Sequence, residues 1–435
     1  MKVSVTDRLK RLTGENKPQA SAEDQKRAQL DDLRRRIESI LERRPGQTPP
    51  PSNEPRRQPI ELMAVTRGEE IVNRFGKFFV AHDCVEQGAF YGRNRIRELA
   101  ALNMDAAAVL AGEPRLAALT HGDALYLDTE TTGLAGGTGT LAFLVGVGWY
   151  DETGFVTQRL FARDFTEEPA MLAHLAELAR AKKWLVTFNG KTFDVGLLAA
   201  RFTMNRLDDP LGALPHLDLL HPARRLLGHR LENARLVTLE EQTLGLRREG
   251  DIPGSEIPQR YFDWLRCRDA RLVAEILEHN RLDVISMAML ALHLTRLLAE
   301  GVQAQDAEPA DVLAAARMQV ERGDAERARC LLEALTAGEN AHAAGDARRL
   351  LSLVHKRAER WDEAVQLWEA LLTADPGDLF AGVELAKFCE HRAKDHARAA
   401  ALVERLLDDP RHAEPETRAE LRHRLARLRR RSVDK

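Results

Sequence analysis

Ala124-Leu125-Tyr126-Leu127-Asp128-Thr129-Glu130-Thr131-Thr132-Gly133-Leu134 is the stretch on which the fold turns. Four β-formers run into two acids at i and i+2, and side chains on a strand alternate with period two, so Asp128 and Glu130 share one face. Two like charges that close repel, and each raises the other's pKa unless a cation lies between them. The pair therefore reads as ligands for a hard divalent metal; the alternative is an exposed strand end rich in Asp, Thr and Gly.

Two later stretches bear on that choice. Trp184-Leu185-Val186-Thr187-Phe188 has the pattern of a buried strand and runs into Asn189-Gly190-Lys191-Thr192-Phe193-Asp194. There Asn-Gly turns the chain, and the helical pattern that follows sets Asp194 in a first turn near a strand end. Glu278-His279-Asn280-Arg281-Leu282-Asp283 lies inside a long amphipathic segment with apolar Val273, Ile276, Leu277, Val284, Met287 and Leu290. His279 and Asp283 are four apart and share a helix face, which a Leu/Ile/Ala helix has little structural reason to provide.

With Asp128-x-Glu130, Asn189-Gly-x-x-Phe193-Asp194 and His279-x-x-x-Asp283 in that order, the sequence resembles the DEDD superfamily of 3′-to-5′ exonucleases, over roughly residues 60 to 300. Within it the chain is most similar to the bacterial YprB-like ribonuclease-H-like group, through Leu239-Glu240, Leu244-Gly245-Leu246, Asp251-Ile252-Pro253-Gly254, Ile257-Pro258 and His279-Asn280-x-x-Asp283. The resemblance implies an α/β ribonuclease-H-like fold, a mixed sheet flanked by helices, and hydrolysis of single-stranded DNA or RNA from the 3′ end. It implies two Mg²⁺ or Mn²⁺ ions on Asp128, Glu130, Asp194 and Asp283, and His279 as the acceptor of the attacking water's proton. Thr131 and Asn189 would hold the terminal nucleotide, and Leu134 would wedge against its base. In one departure, the His stands at the spacing where related enzymes carry a Tyr. The competing expectation is a nucleic-acid-end binding module with a partner-recruiting scaffold and little or no catalysis.

Composition narrows the setting. A formal net charge of −3 over 435 residues gives no global basic signature, so a nucleic-acid partner must be met by local patches. Cys84, Cys267, Cys330 and Cys389 are scattered without Cys-x-x-Cys pairing, which argues against a zinc site or a disulfide framework and fits a reducing cytoplasm. The N-terminus is charged and polar, and no apolar segment for a signal peptide or membrane span is expected, so no membrane partner is expected either.

Four regions follow. Residues 1 to 59 hold 7 of the 18 prolines, with 14 Lys/Arg against 9 Asp/Glu, and read as a mostly disordered segment with one possible helix over Leu30 to Arg43. Residues 60 to 120 read as a lead-in of short elements packed on the nuclease domain, to which no chemistry is assigned. From 121 to 303 the elements read strand, strand, strand, helix, strand, helix, then a short strand at Leu217-Asp218-Leu219 and mostly helix. Gly136-Gly137-Thr138-Gly139-Thr140 lacks the ending of a phosphate loop and joins two strands, so it reads as a hairpin connection. His216, His221 and His229 are too unevenly spaced to suggest a metal site.

From 306 to 431 a period near 35 appears, aligning Gly323-Asp324-Ala325, Arg360-Trp361-Asp362 and Asp395-His396-Ala397. Ala328, Ala364 and Ala399 are each followed seven residues on by Leu335, Leu371 and Leu406. The pattern resembles tetratricopeptide repeats, whose stacked helix pairs commonly hold a protein partner.

Overall fold

The structure, a computed structural model, describes residues 58–133, 139–338 and 340–433. The N-terminal segment with its expected helix, Leu134 and most of the Gly136–Thr140 connection lie outside the described residues. The described chain forms two compact units, 58–344 and 345–433.

In the first unit seven strands form one mixed sheet in the order β1-β2-β7-β6-β5-β8-β9. The strands are β1 (Gly68–Asn73), β2 (Gly76–Glu86), β5 (Ala124–Thr131), β6 (Ala142–Tyr150), β7 (Gly154–Phe161), β8 (Trp184–Thr187) and β9 (His216–Asp218). A two-residue pair, β3 (Phe90–Tyr91) and β4 (Asn94–Arg95), stands apart. β5, β6 and β7 form the expected antiparallel meander, and β8 and β9 continue it in parallel. This is the ribonuclease-H-like sheet. The lead-in does more than cover it, because β1 pairs with β2 and β2 pairs with β7, which widens the sheet by two strands.

Continuous apolar runs explain why the sheet is covered on both faces. One layer holds α2 (Glu168–Arg180) and α3 (Asp194–Met204), whose Met171, Leu172, Leu175, Leu198 and Phe202 pack on Leu125, Leu127, Val145 and Val147. The other holds α6 (Ile257–Cys267) and α7 (Arg271–Glu300), where Tyr261, Trp264, Val273 and Ile276 meet Phe79, Phe143 and Phe161. The rest of this unit is α1 (Met104–Ala111), α4 (Leu220–Leu227), the short α5 (Leu236–Leu239) with the wide turn Glu240–Leu244, α8 (Pro309–Arg322) and α9 (Ala325–Thr336).

One expectation is corrected here. The segment Arg271–Gln303 is long and apolar enough to cross a membrane, although no such segment was expected. Its apolar window is 78% buried, because α7 is the central helix packed on the sheet.

The second unit begins inside α10 (Ala341–Arg357) and continues through α11 (Trp361–Ala374), α12 (Leu379–Phe388), α13 (His396–Asp408) and α14 (Pro415–Val433). By packing the chain thus divides after Ala344, and the first helix pair of the periodic region, α8 and α9, belongs with the sheet. The periodicity has a local cause in both units. Gly323, Glu359 and Lys394, 36 and 35 residues apart, each take a left-handed conformation just before the start of a helix. Ala328, Ala364 and Ala399 and the leucines seven residues on are all buried.

Candidate metal centre

Asp128 and Glu130 extend from the same face of β5, the face that α7 covers. Close approach of that helix depends on β6. Gly146 is the cross-strand partner of Asp128, and a Cβ there would lie 2.0 Å from the Asn280 side-chain oxygen. A Cβ at Gly148 would lie 2.6 Å from Val284. The two glycines let α7 lie against the sheet, and Asn280, fully buried, donates its amide to Asp128 Oδ2 at 2.8 Å.

Asp194 arrives from the other side. β8 ends in a turn where Asn189 is left-handed and Gly190 has no room for a Cβ, which would fall 2.5 Å from Thr187. The turn is fastened by the buried Asp218 carboxylate, which accepts from the backbone N–H groups of Asn189 (2.7 Å), Lys191 (3.0 Å) and Leu220 (3.1 Å). Asp194 then begins α3 and accepts a short hydrogen bond from the Thr129 hydroxyl.

From α7 come His279 and Asp283. His279 Nε2 lies 3.8 Å from Glu130 Oε1 and 3.6 Å from Asp283 Oδ2. Suitable ligand atoms of Glu130, His279 and Asp283 all lie within 4.8 Å of one another. Asp128 and Asp194 flank this trio, close enough for their charges to be felt.

The electrostatics follow. Loss of hydration and the charges of Asp283, Glu130 and Asp194 push the Asp128 carboxyl well above the usual carboxylate range, with the Asn280 amide opposing. Glu130 is pushed up in the same way, by burial and then by Asp283, Asp194 and Asp251. Burial raises Asp194 to about 6, against the pull of the Thr129 hydroxyl. Added positive charge would favour the ionised form of each of these carboxylates, and the donors are hard oxygens with one imidazole nitrogen. The residues present therefore fit a divalent cation.

A second ring of residues carried no chemical role in the sequence. Arg248, with a side chain only 3% exposed, bridges Glu240, Asp251 and Asp283. Asp251 accepts from His279 Nδ1 at 2.7 Å. Burial works to raise Asp251, but His279 and Arg248 hold it below the usual range. The available signals were Glu240 and Asp251 lying beside apolar runs, and Asp218 closing a strand. Thr131 and Asn189, expected at the substrate, are half-buried, at the end of β5 and in the turn after β8. The Thr131 hydroxyl donates to the Gly133 carbonyl at 2.9 Å.

A seven-stranded mixed sheet with acids gathered around its β5 strand defines a ribonuclease-H-like nuclease domain, and the family model described as the RNase_H superfamily matches residues 125–295. The chain is also similar to the Bacillus subtilis (strain 168) protein described as "Uncharacterized protein YprB", with 35% identity over 312 residues, 70% of this chain and 74% of that one. It belongs to the YprB family within the RNase_H superfamily.

Proposed function

We propose that the protein is a divalent-metal-dependent 3′-to-5′ exonuclease that hydrolyses phosphodiester bonds of single-stranded DNA or RNA. The observation that carries this reading is the convergence of Asp128 and Glu130 from β5, Asp194 from α3 and Asp283 from α7 on one poorly hydrated site. These four carboxylates would hold two ions, Mg²⁺ or Mn²⁺. Ions so held supply a more acidic water and positive charge at the leaving 3′ oxygen.

The chain's own residues do the positioning. Asn280 fixes Asp128, Thr129 fixes Asp194, and Arg248 fixes Asp283. His279 completes the catalytic set on the α7 side. Thr131 and Asn189 flank the space for a terminal nucleotide; the part given to Leu134 rests on the resemblance alone. Phe193, directly before Asp194 and 58% exposed, offers a ring on which a base of a single strand stacks. The 345–433 unit is proposed to hold a protein partner. The four cysteines, all free, suit a cytoplasmic setting.

The test is cleavage of end-labelled single-stranded DNA and RNA by wild type and Asp194→Ala with Mg²⁺, Mn²⁺ or EDTA. A metal-dependent ladder growing from the 3′ end and absent in the variant is expected, and it identifies the preferred strand. Wild type that binds these strands but cuts none in any metal would sink the catalytic reading and favour a binding module.

A further inference from the structure

His279 sits one helical turn before Asp283, and its two ring nitrogens face different groups. On one side Nδ1 meets Asp251 Oδ1 at 2.7 Å, and Asp251 is itself ion-paired with Arg248 at 3.0 Å. An ionised carboxylate only accepts hydrogen bonds, so the ring proton belongs on Nδ1, and in the neutral ring Nε2 is a bare lone pair. That lone pair faces two further acceptors, Glu130 Oε1 at 3.8 Å and Asp283 Oδ2 at 3.6 Å. The other Asp283 oxygen is occupied by Arg248, so Oδ2 is the one it turns toward the ring. With the ring neutral, these three acceptors facing one another make a repulsive arrangement for protein atoms alone. They make a suitable one for a cation, since bonds of about 2.1 Å let an ion span ligands up to about 4.2 Å apart.

We propose that His279 is a metal ligand, bonding through Nε2 in one set with Glu130 and Asp283, and that Asp251 is the residue that positions it. The inference uses the same carboxylates as the exonuclease reading but gives His279 a different part from the proton acceptor implied by the resemblance. A carboxylate behind a histidine fixes the ring's tautomer and orientation and makes the ligand nitrogen more basic. A nitrogen in the set also biases the site toward transition-metal ions and away from Mg²⁺, which favours oxygen ligands. Mn²⁺ is accordingly favoured over Mg²⁺ at this position.

The experiment uses the full chain, with Mn²⁺ as probe. Pulsed electron paramagnetic resonance of the bound ion reads directly bonded nitrogen nuclei, and wild type is expected to show one imidazole nitrogen. His279→Ala should lose that signal and weaken Mn²⁺ binding at least about tenfold, while Mg²⁺ binding changes less. Asp251→Ala should weaken Mn²⁺ binding by about tenfold. Asp251→Asn should restore most of it, because its amide oxygen still accepts the Nδ1 proton; a merely structural role for the Asp251 charge predicts no such rescue.

Wild type that binds Mn²⁺ with no nitrogen coupling overturns the proposal, and that reading does not depend on any variant folding. Unchanged Mn²⁺ affinity in His279→Ala overturns it equally. The two proposals fail separately: nitrogen coupling without strand cleavage removes the exonuclease and leaves the ligand assignment, and cleavage without nitrogen coupling does the reverse.

Discussion

At the scale of single residues, the site depends on a side chain that is missing. Gly146 faces Asp128 across the β5–β6 pair, and the room it leaves is filled by the Asn280 amide. Gly146→Ala would place a methyl group 2.0 Å from a fully buried oxygen, so Asn280 must leave Asp128 or α7 must lift. Urea denaturation should show a loss of about 1–3 kcal/mol, the usual range for overpacking. Gly139→Ala, with nothing among the described residues within 4 Å of the added carbon, should be neutral. Equal stability of both variants would mean that α7 does not depend on this close contact. The acids themselves were legible in the sequence because charge at a strand end or on an apolar helix is locally anomalous. Gly146, Asp218 and Arg248 were not, since their meaning lies in partners far along the chain: Arg248 meets Asp283 across 35 residues, and Asp218 meets Asn189 across 29.

At the scale of elements, the meander β5–β7, the β8 strand and helices α2 and α3 could be read from period and turn chemistry, because their neighbours in sequence are their neighbours in space. β1 and β2 could be seen as strands but not placed, since β2 pairs with a strand whose partner residues lie about 70 to 80 positions later. The segment between α5 and α6 was legible only as a family signature, and its physical use is to dock on α7. Arg248 makes that dock by meeting Glu240, which has no exposed surface, along with Asp251 and Asp283. Removing one member of a buried ion network leaves the others uncompensated. Arg248→Ala should therefore cost about 3–5 kcal/mol in urea denaturation. Arg248→Met with Glu240→Gln should cost less than Arg248→Ala, because Glu240 no longer carries a charge. A cost below about 1 kcal/mol for Arg248→Ala would show that water, and not Arg248, balances these acids.

At the scale of the whole molecule, the metal-free protein pays in stability for its clustered carboxylates, and that cost has a predictable pH dependence. Asp194 titrates at about 6 in the folded chain against an ordinary 3.8, and Asp128 and Glu130 are raised as well. Between about pH 4 and 6 these three carboxyls therefore bind more protons in the folded state than in the unfolded state, so their contribution to the free energy of unfolding falls as pH rises through this window. Below the ordinary value both states are protonated at Asp194 and it adds no difference. Above the folded value both are ionised and the full penalty applies, about 2–3 kcal/mol from Asp194 alone. In EDTA, urea unfolding should then show Asp194→Asn gaining stability relative to wild type as pH rises from 5 to 7, a difference that cancels the opposite slope set by His121, His216 and His293, each lowered by burial to about 4. Saturating Mn²⁺ should remove most of the difference, because an ion that binds only the folded state restores the charge balance as it stabilises. Asp194→Asn should leave the protein folded at both pH values. The same pH dependence in wild type and Asp194→Asn would mean that this carboxylate is hydrated and independent, and a cation at its centre would lose its electrostatic basis.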